Sequence, residues 1–308
     1  MAADPLTALL RPSAVAVVGA SSDPASYASR PLRYLLDAGF TGRLAAVNPR
    51  RTETMGVPTY PTITDIPFVP DVALILVNAA LVPATLLECA KAGVPFAISV
   101  ASGFGEAGNS VLDDEVRRIC TGSGLRLLGP NCIGALNNID NVPLTFSTVI
   151  GQMPLSPGPL AVVAQSGALT NVVLQTCACR GLGIGYAVTS GNELDLEWGE
   201  LALAVLEQSE TRVLLGYVEA FKNPETAREV GRRARELDKT VIVTKSGRSA
   251  AGAAASRSHT GKIAGDGQMW EAVANEFGLL PAASLDELVD IAEVRLAELA
   301  AVAGRDGR

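Results

Sequence analysis

The residue best suited to covalent chemistry in this chain is its single histidine, His259. It lies in the segment Ser258-His259-Thr260-Gly261, behind small residues that run from 249 to 256. An imidazole on a flexible, water-accessible loop is poorly placed for core packing but suited to carrying a group from one site to another. Positive charge that could hold an anion is supplied nearby by Lys245, Arg248, Arg257 and Lys262. On residue types alone, a phosphohistidine and an ordinary surface histidine are equally supported.

Charge and composition narrow the classes of protein that could use such a histidine. The formal net charge of −7 disfavours a nucleic-acid binder, because such proteins neutralise phosphates with a positive field. No apolar run approaches the roughly 20 residues that span a bilayer, and no signal peptide is evident, so we expect a cytoplasmic protein without a membrane partner. The 5 cysteines are an odd number without paired CxxC spacing. They disfavour both a disulfide framework and a zinc site, and no metal site is predicted.

Short apolar runs alternate with amphipathic stretches along the chain. Runs at residues 15–18, 44–47, 72–77 and 96–100 predict buried parallel strands, and a second series follows at 160–164, 184–189, 213–219 and 240–245. The alternation of strands with helices indicates doubly wound α/β sheets. A Pro/Gly-rich connector at 153–159 separates the two series. We therefore predict one domain over residues 1–149 and another over residues 150–308.

The turn after the first predicted strand has residues suited to an anion. Gly19, Ala20, Ser21 and Ser22 are small, so their backbone amides could approach a phosphate where the next helix begins. The glycine fingerprint of dinucleotide enzymes is incomplete, and a tight turn without a ligand is an equally good interpretation. After the second strand, Asn48-Pro49-Arg50-Arg51 places arginine where NAD enzymes usually carry an acidic residue. The sequence therefore favours a phosphorylated adenosine ligand, CoA or NADP, over NAD.

Seven motifs occur in an order that resembles one family of ligases. They are Val18-Gly19-Ala20-Ser21, Val47-Asn48-Pro49-Arg50, Ser102-Gly103-Phe104-Gly105-Glu106, Gly129-Pro130-Asn131-Cys132-Ile133-Gly134, Gln165-Ser166-Gly167-Ala168, Ser190-Gly191-Asn192-Glu193 and Ser258-His259-Thr260-Gly261. In this order they resemble the NDP-forming acyl-CoA synthetases, a superfamily that includes the succinyl-CoA synthetase α subunit. Each motif is weak by itself, but seven in order over about residues 8–295 are specific.

The resemblance implies an N-terminal Rossmann-like CoA-binding domain followed by a flavodoxin-like succinyl-CoA-ligase domain, both with parallel sheets. It implies that a carboxylic acid, CoA and a nucleoside triphosphate give an acyl-CoA thioester through a phosphohistidine and an acyl phosphate. By that match His259 carries the phosphoryl group, and Glu219, at the end of a predicted strand, orients the imidazole. The phosphoryl group would be received at the helix start formed by Gln165, Ser166, Gly167 and Ala168.

The same resemblance assigns residues to CoA and to the acid. The residues that match CoA-binding positions are Gly19, Ala20, Ser21, Ser22, Asn48, Arg50, Val77, Asn78, Ser102, Gly103, Asn131 and Cys132. Gly191 and Asn192 match positions near the acyl carboxylate. Cys132 is interpreted as a packing thiol, because the reactive sulfur belongs to CoA. The family's usual residues beside the CoA cleft are replaced by Ala28, Tyr34 and Asn78, which leaves the details of the CoA contacts open.

No segment of the sequence offers the glycine loop and metal carboxylates of an ATP-grasp module. We therefore expect ATP or GTP, with magnesium, to be bound by a partner. That partner would be a separate β-type subunit, most simply in an α2β2 assembly, or another part of a fused synthetase. The sequence determines neither the carboxylic acid nor whether ADP or GDP is formed.

Two rival classes of protein are a non-catalytic CoA-binding or regulatory module and an NADP-dependent oxidoreductase. The joint presence of His259, Glu219 and Ser166-Gly167 disfavours both.

Overall fold

A computed structural model describes residues 6–246 and 267–306 of the chain. The chain forms two compact units. The first contains the chain up to Gln152 together with Val188–Glu197, and the second contains Met153–Ala187 and the chain from Trp198 onward. The predicted phosphohistidine, His259, lies outside the described residues.

The first unit is built on a sheet with the strand order β3-β4-β2-β1-β5-β6-β7. Its strands are β1 (Ala14–Val18), β2 (Arg43–Val47), β3 (Glu53–Thr54), β4 (Val57–Tyr60), β5 (Val72–Ile75), β6 (Phe96–Ser99) and β7 (Arg126–Leu128). Neighbouring strands are parallel except for β3 and β4, which are antiparallel. β1, β5 and β6 are buried along their whole length, which explains why their sequences do not alternate between apolar and polar residues.

Helices cover this sheet and bury their apolar residues against it. The helices of the first unit in the described part of the chain are α1 (Thr7–Leu10), α2 (Arg30–Asp37), α3 (Val82–Lys91), α4 (Ser110–Ser123) and α5 (Thr148–Gln152). Leu86 and Cys89 of α3, Val116 and Cys120 of α4, and Ile75 of β5 share one buried apolar cluster. The unit also contains an antiparallel hairpin of β8 (Gly134–Asn137) and β9 (Val142–Thr145).

The direction in which strands are added to the sheet reverses at β1. The chain passes from β1 to β2 on one side, whereas β5 pairs with β1 on the other side. Loops that leave the carboxyl ends of such strands turn away from each other and leave a crevice, which is where open α/β sheets bind ligands. We therefore expect a ligand beside the loops that follow β1, β5 and β6.

The segment Val188–Glu197 belongs to the first unit although it follows the connector at residues 153–159 in the sequence. The Asp195 carboxylate accepts hydrogen bonds from Arg126 Nε at 3.0 Å and from the backbone N–H of Leu127 at 2.7 Å. Arg117 donates to the Leu194 carbonyl at 2.9 Å. These contacts hold the segment against β7 and α4.

The second unit contains a sheet with the strand order β14-β13-β12-β10-β11. Its strands are β10 (Leu160–Ala164), β11 (Ile184–Thr189), β12 (Val213–Val218), β13 (Thr240–Lys245) and β14 (Leu280–Ala282). The pairs β10–β12, β12–β13 and β13–β14 are parallel. The described helices of this unit are α6 (Gly167–Cys179), α7 (Trp198–Leu206), α8 (Pro224–Glu236), α9 (Gly267–Phe277) and α10 (Leu285–Asp306).

The predicted fold class is confirmed, because both sheets are mostly parallel and alternate with helices along the chain. The expectation of wholly parallel sheets was too simple. The pairs β3–β4 and β8–β9 are antiparallel, and their strands have two to four residues each. Runs this short carry too little hydrophobic periodicity to be separated from loops in the sequence.

In the second unit, aromatic rings pack closely against each other and against a glycine. Trp198 is buried and donates its indole N–H to the Val163 carbonyl of β10 at 2.8 Å. Its ring lies against Gly216 of β12, where an added Cβ would be 2.8 Å from Trp198 Cζ2. The Phe221 ring lies 5.4 Å from the Trp198 ring and 5.1 Å from the Trp270 ring, measured between centroids. Glycine at position 216 therefore makes room for the largest side chain of the core.

Gly231 sets the distance between α8 and the end of α9. A Cβ at position 231 would lie 1.8 Å from the Phe277 carbonyl oxygen, which is backbone and cannot rotate away. We predict that Gly231→Ala lowers the free energy of unfolding by about 2–3 kcal/mol, because the two helices must separate. Differential scanning calorimetry measures this loss and resolves a separate transition if the two units unfold independently.

Gly122→Ala is the matched control, since Gly122 is also helical, has an ordinary φ and meets no atom within 4 Å of its added Cβ. Alanine is the better helix former, so this variant is expected to be neutral or up to about 1 kcal/mol more stable. Equal destabilisation by both substitutions would show that Gly231 has no special packing role.

Candidate functional site

The loop after β1 follows a path that only glycine allows at its first position. Gly19 has φ +83°, and its N–H donates to the Val47 carbonyl at 2.9 Å. A Cβ there would lie 3.1 Å from Val77 Cγ1 and 3.3 Å from the Leu76 carbonyl carbon. The loop after β1 is thereby held directly against the loop after β5.

Asn48, at the end of β2, fixes the next part of the same loop. Its Nδ2 donates to the Ala20 carbonyl at 3.2 Å, while its Oδ1 accepts the N–H of Arg50 at 3.0 Å. The side chain that reaches the loop is that of Arg51, which donates to Ser22 Oγ at 2.7 Å. The structure therefore brings together Gly19, Ala20, Ser22 and Asn48, which the resemblance assigns to CoA. Of the arginine pair, Arg51 contacts Ser22, and the assignment of Arg50 to CoA stays a prediction.

A cleft of about 340 Å³ lies at the carboxyl ends of β5 and β6. Its lining residues are Tyr27, Val77, Asn78, Ala79, Val100, Ala101, Ser102 and Phe146. The rings of Tyr27 and Phe146 meet edge to face with centroids 5.9 Å apart, and the Tyr27 hydroxyl donates to the Leu76 carbonyl at 3.3 Å. Of the predicted residues, Val77, Asn78 and Ser102 share this cleft. Sequence reasoning missed the two aromatic residues, because nothing in their local sequence links them to the motifs.

A second group forms where the loops at residues 129–132 and 190–193 touch. Gly191 has φ +61°, and a Cβ at this position would lie 2.2 Å from the Pro130 carbonyl oxygen. The backbone N–H of Asn192 donates to that same carbonyl at 2.9 Å. Asn131 Nδ2 donates to Asn192 Oδ1 at 3.1 Å. The structure therefore brings Asn131, Gly191 and Asn192 together, and the two loops are too close for any residue but glycine at position 191.

Glu106 is a charged residue of this second group that the sequence reasoning left without a role. Its Oε1 accepts the N–H groups of Gly103 at 2.7 Å and Phe104 at 3.3 Å, and its Oε2 accepts Asn192 Nδ2. Burial opposes ionisation of this carboxyl, but these hydrogen bonds outweigh it and hold the pKa of Glu106 below its ordinary value. The sequence feature that could have identified Glu106 is its place in the motif Ser102-Gly103-Phe104-Gly105-Glu106.

Cys132 lies in the same region but is not available as a nucleophile. The residue is buried, and its thiol donates to the Ser99 carbonyl with a sulfur–oxygen distance of 3.3 Å. Burial raises the pKa of this thiol to about 12, so it stays protonated at neutral pH. The structure therefore supports a packing role for this side chain.

In the second unit, one buried glutamine joins the ends of β10 and β12. Gln165 Oε1 accepts the N–H groups of Glu219 at 2.5 Å and Ala220 at 3.2 Å, and its Nε2 donates to the Ala220 carbonyl at 2.8 Å. Ser166 is the N-cap of α6, and its Oγ accepts the N–H of Leu169 at 3.4 Å. The amides of the first helical turn have no acceptor within the helix and favour an anion. Gln165 thus places Glu219 beside this helix start.

The carboxylate of Glu219 acts on two neighbouring groups at the ends of β12 and β13. Burial lowers the pKa of the Lys245 ammonium, and Glu219 partly opposes this shift. Burial also raises the pKa of the Tyr217 hydroxyl, and Glu219 adds to that rise. Because His259 lies outside the described residues, the role of Glu219 in orienting its imidazole stays a prediction.

Across residues 6–246 and 267–306, no three His, Cys, Asp or Glu side chains are grouped so as to hold a metal ion. None of the helices in this described part combines the length and the apolar character needed to cross a bilayer.

Two family models match the chain, one in each series of strands. A CoA binding domain matches residues 13–138, and a succinyl-CoA ligase like flavodoxin domain matches residues 157–295. The first match contains the loop after β1 and the cleft residues at positions 77–79 and 100–102. The second contains Gln165, the start of α6 and Glu219. The chain is therefore a CoA-binding domain followed by a ligase-type flavodoxin domain.

Known proteins that align with most of this chain extend this assignment. The chain is 31% identical over 280 residues to an ADP-forming acetate–CoA ligase of Methanocaldococcus jannaschii, a match that covers 91% of this chain and 39% of that protein. It is 32% identical over 283 residues to the α subunit of an ADP-forming acetate–CoA ligase of Pyrococcus furiosus, covering 91% and 60% of the two chains. An acetyl-coenzyme A synthetase structure from Ca. Korarchaeum cryptofilum superposes with a TM-score of 0.84 at 36% identity, covering 91% and 60%.

These matches determine the family. The chain belongs to the NDP-forming acyl-CoA synthetase superfamily and corresponds to the α-subunit part of its members. It spans less than two thirds of the length of the relatives named here.

The burial of the thiols gives a direct test of the structure around the site. Burial raises the pKa to about 12 for Cys89, Cys120 and Cys132 and to about 11 for Cys177, whereas Cys179 is exposed. A disulfide reagent such as DTNB at pH 8 is therefore expected to modify one thiol rapidly in the native protein. The other four are expected to react only in denaturant.

Cys179→Ser is the matched control and should abolish the rapid phase. Rapid modification of Cys132 in the native protein, identified by peptide mass spectrometry, would contradict its assignment as a buried packing thiol.

Proposed function

We propose that the chain is the α-type part of an ADP-forming acyl-CoA synthetase that acts in the cytoplasm. It would bind CoA in its first unit and pass a phosphoryl group through His259 of its second. The observation that carries the proposal is the cleft at the carboxyl ends of β5 and β6, whose lining residues, apart from Phe146, lie in the part of the chain that matches a CoA binding domain. We propose functional domains at residues 1–149 and 150–308, as predicted from the sequence.

The chemistry of the cleft suits CoA better than a dinucleotide. CoA joins a long, weakly polar arm to a phosphorylated adenosine. Tyr27, Val77 and Phe146 offer apolar surface, and Asn78 and Ser102 offer polar groups to the amides of such an arm. Arg51, which follows β2 and contacts Ser22 of the loop after β1, supplies a cation for a phosphate in a chain whose net charge is −7. We therefore assign the cleft to the arm and the loop after β1 to the phosphate end.

The proposed reaction has three group transfers. A nitrogen of His259 takes the terminal phosphoryl group of ATP, and ADP leaves. A carboxylate oxygen of the acid then takes the phosphoryl group from that nitrogen, which gives an acyl phosphate and restores the imidazole. The CoA thiolate attacks the acyl carbon and releases inorganic phosphate, which gives the thioester. The helix start at Ser166 would hold the phosphoryl oxygens, and Glu219 would accept the second ring N–H of His259.

We propose that ATP and magnesium bind an ATP-grasp partner, either a β-type subunit in an α2β2 assembly or another part of a longer chain. The Methanocaldococcus jannaschii and Pyrococcus furiosus ligases are ADP-forming, which supports ATP as the nucleotide. The Pyrococcus furiosus protein is an α subunit, which supports a separate partner. Their names also make acetate the first acid to test, with Gly191 and Asn192 at its carboxylate.

The direct test is a search for phosphohistidine in chain recovered from its native host. Mass spectrometry at neutral pH, which spares the acid-labile bond, is expected to find one phosphoryl group on His259. The His259→Asn variant is the control and should carry none. Glu219→Gln should slow the phosphorylation of His259 by about 10- to 100-fold, because the imidazole loses the carboxylate that orients it.

Absence of phosphate from chain that still binds CoA would favour a non-catalytic CoA-binding or regulatory module. Binding of NADPH in place of CoA would favour an oxidoreductase. Phosphate on another residue of the second unit would retain the ligase class but overturn the assignment of His259.

A further inference from the structure

The side chain of Gln165 continues the hydrogen bonding between β10 and β12 past the end of their pairing. The last paired residues of the two strands are Ala164 and Tyr217, and the backbone N–H of Gln165 donates to the Tyr217 carbonyl at 3.0 Å. Beyond this point the two chains separate, because α6 begins at Gly167 while β12 continues to Val218. The carboxamide of Gln165 lies where the two chains separate.

Both ends of that carboxamide bind the loop that follows β12. Its Oε1 accepts the N–H groups of Glu219 at 2.5 Å and Ala220 at 3.2 Å, and its Nε2 donates to the Ala220 carbonyl at 2.8 Å. Ala220 is thus held through both of its backbone groups, as a residue in a sheet is held by a neighbouring strand. Gln165 is only 5% exposed, so water competes little with these three hydrogen bonds.

The next residue of the same loop is held by aromatic packing. The Phe221 ring lies 5.4 Å from the Trp198 ring and 5.1 Å from the Trp270 ring, measured between centroids, and rings at these separations attract each other. Glu219 itself is partly exposed. The backbone around Glu219 is therefore fixed at residues 219–220 by Gln165 and at residue 221 by the rings.

We propose that Gln165 is a positioning residue of the phosphoryl transfer, and that it acts by fixing the backbone from which Glu219 orients the imidazole of His259. This inference rests on the proposed function and changes the part that Gln165 has in it, since the resemblance grouped Gln165 with the residues that receive the phosphoryl group. The backbone N–H of Gln165 already donates to Tyr217, so it is not one of the amides that hold a phosphoryl oxygen. Phe221 is the second anchor of the same loop.

A fixed carboxylate serves this transfer better than a mobile one. One ring nitrogen of the imidazole can attack only while the other keeps its proton, and a carboxylate that accepts this N–H selects the required tautomer. If the loop moves, the carboxylate and the imidazole must be ordered again at each transfer, which raises the barrier. Loss of the Gln165 contacts should therefore slow the transfer to His259 without removing any group that reacts.

The test follows the phosphorylation of His259 in the full chain by acetyl phosphate. The ring nitrogen takes the phosphoryl group and acetate leaves, which is the second transfer of the proposed reaction in reverse. Mass spectrometry at neutral pH measures the rate. Gln165→Leu removes all three side-chain hydrogen bonds to the loop, and we expect it to slow the phosphorylation of His259 by about tenfold.

A double-mutant cycle separates this role from a general loss of stability. If Gln165 acts through Glu219, Gln165→Leu should change the rate by less than about twofold once Glu219→Gln is present. If Gln165 acts on the start of α6, or only on folding, Gln165→Leu should slow the reaction equally in both backgrounds.

Two further variants keep the test decisive. Gln208→Leu is the matched control, since Gln208 is also a buried glutamine of the second unit and its Nε2 donates to the Ala204 carbonyl at 3.0 Å. It should leave the rate unchanged within about twofold. Phe221→Leu removes the second anchor and serves if Gln165→Leu does not fold. It should slow the phosphorylation by about three- to tenfold and lose this effect in the Glu219→Gln background.

The outcomes distinguish this inference from the proposed function. If the unaltered chain takes no phosphoryl group from acetyl phosphate on His259, the proposed function fails and the inference fails with it. If His259 is phosphorylated, but Gln165→Leu does not slow the reaction or slows it equally in the Glu219→Gln background, only the role of Gln165 is overturned. Slowing that disappears in the Glu219→Gln background supports the role.

Discussion

The central position of β1 determines where the first unit can bind a ligand. β1 is buried along its whole length and hydrogen-bonds to β2 on one side and β5 on the other. No side chain along it can therefore meet solvent, and ligand contacts are confined to the loops at its carboxyl end. Gly19 then brings the first of these loops against Val77, which follows β5. The cleft, the arginine contact and the asparagine at the end of β2 all depend on this arrangement.

Much of this architecture could be predicted from the sequence. The long apolar runs predicted the central strands of both sheets, because a strand buried on both faces needs apolar residues throughout. The strands β3, β4, β7, β8, β9 and β14 were missed, since two to four residues show no usable periodicity. The resemblance assigned Val77, Asn78 and Ser102 to CoA, and in the structure these three residues line one cleft. The sequence did not reveal Tyr27, Phe146 or the contact of Arg51 with Ser22, because such contacts depend on how loops approach each other.

We propose that this acidic chain binds anions through local donors instead of a positive field. In the first unit the proposed donors are the backbone of a glycine loop and Arg51. In the second unit they are the first turn of α6 and the lysine at the end of β13. A glutamate lies beside each set: the Glu106 carboxylate accepts the Gly103 N–H, and the backbone N–H of Glu219 donates to Gln165 Oε1. For Glu219 we propose an orienting role toward His259.

The measurement that tests the central claim most directly is a crystal structure of the chain with bound CoA. The account predicts the pantetheine arm between Tyr27, Val77 and Ser102, with a phosphate of the adenosine end within hydrogen-bond distance of Arg51. It also predicts that the CoA sulfur lies on the side of the cleft nearest Asn131. CoA bound elsewhere on the chain, or a dinucleotide occupying the same cleft in its place, would contradict the assignment of the first unit as the CoA-binding part of a synthetase.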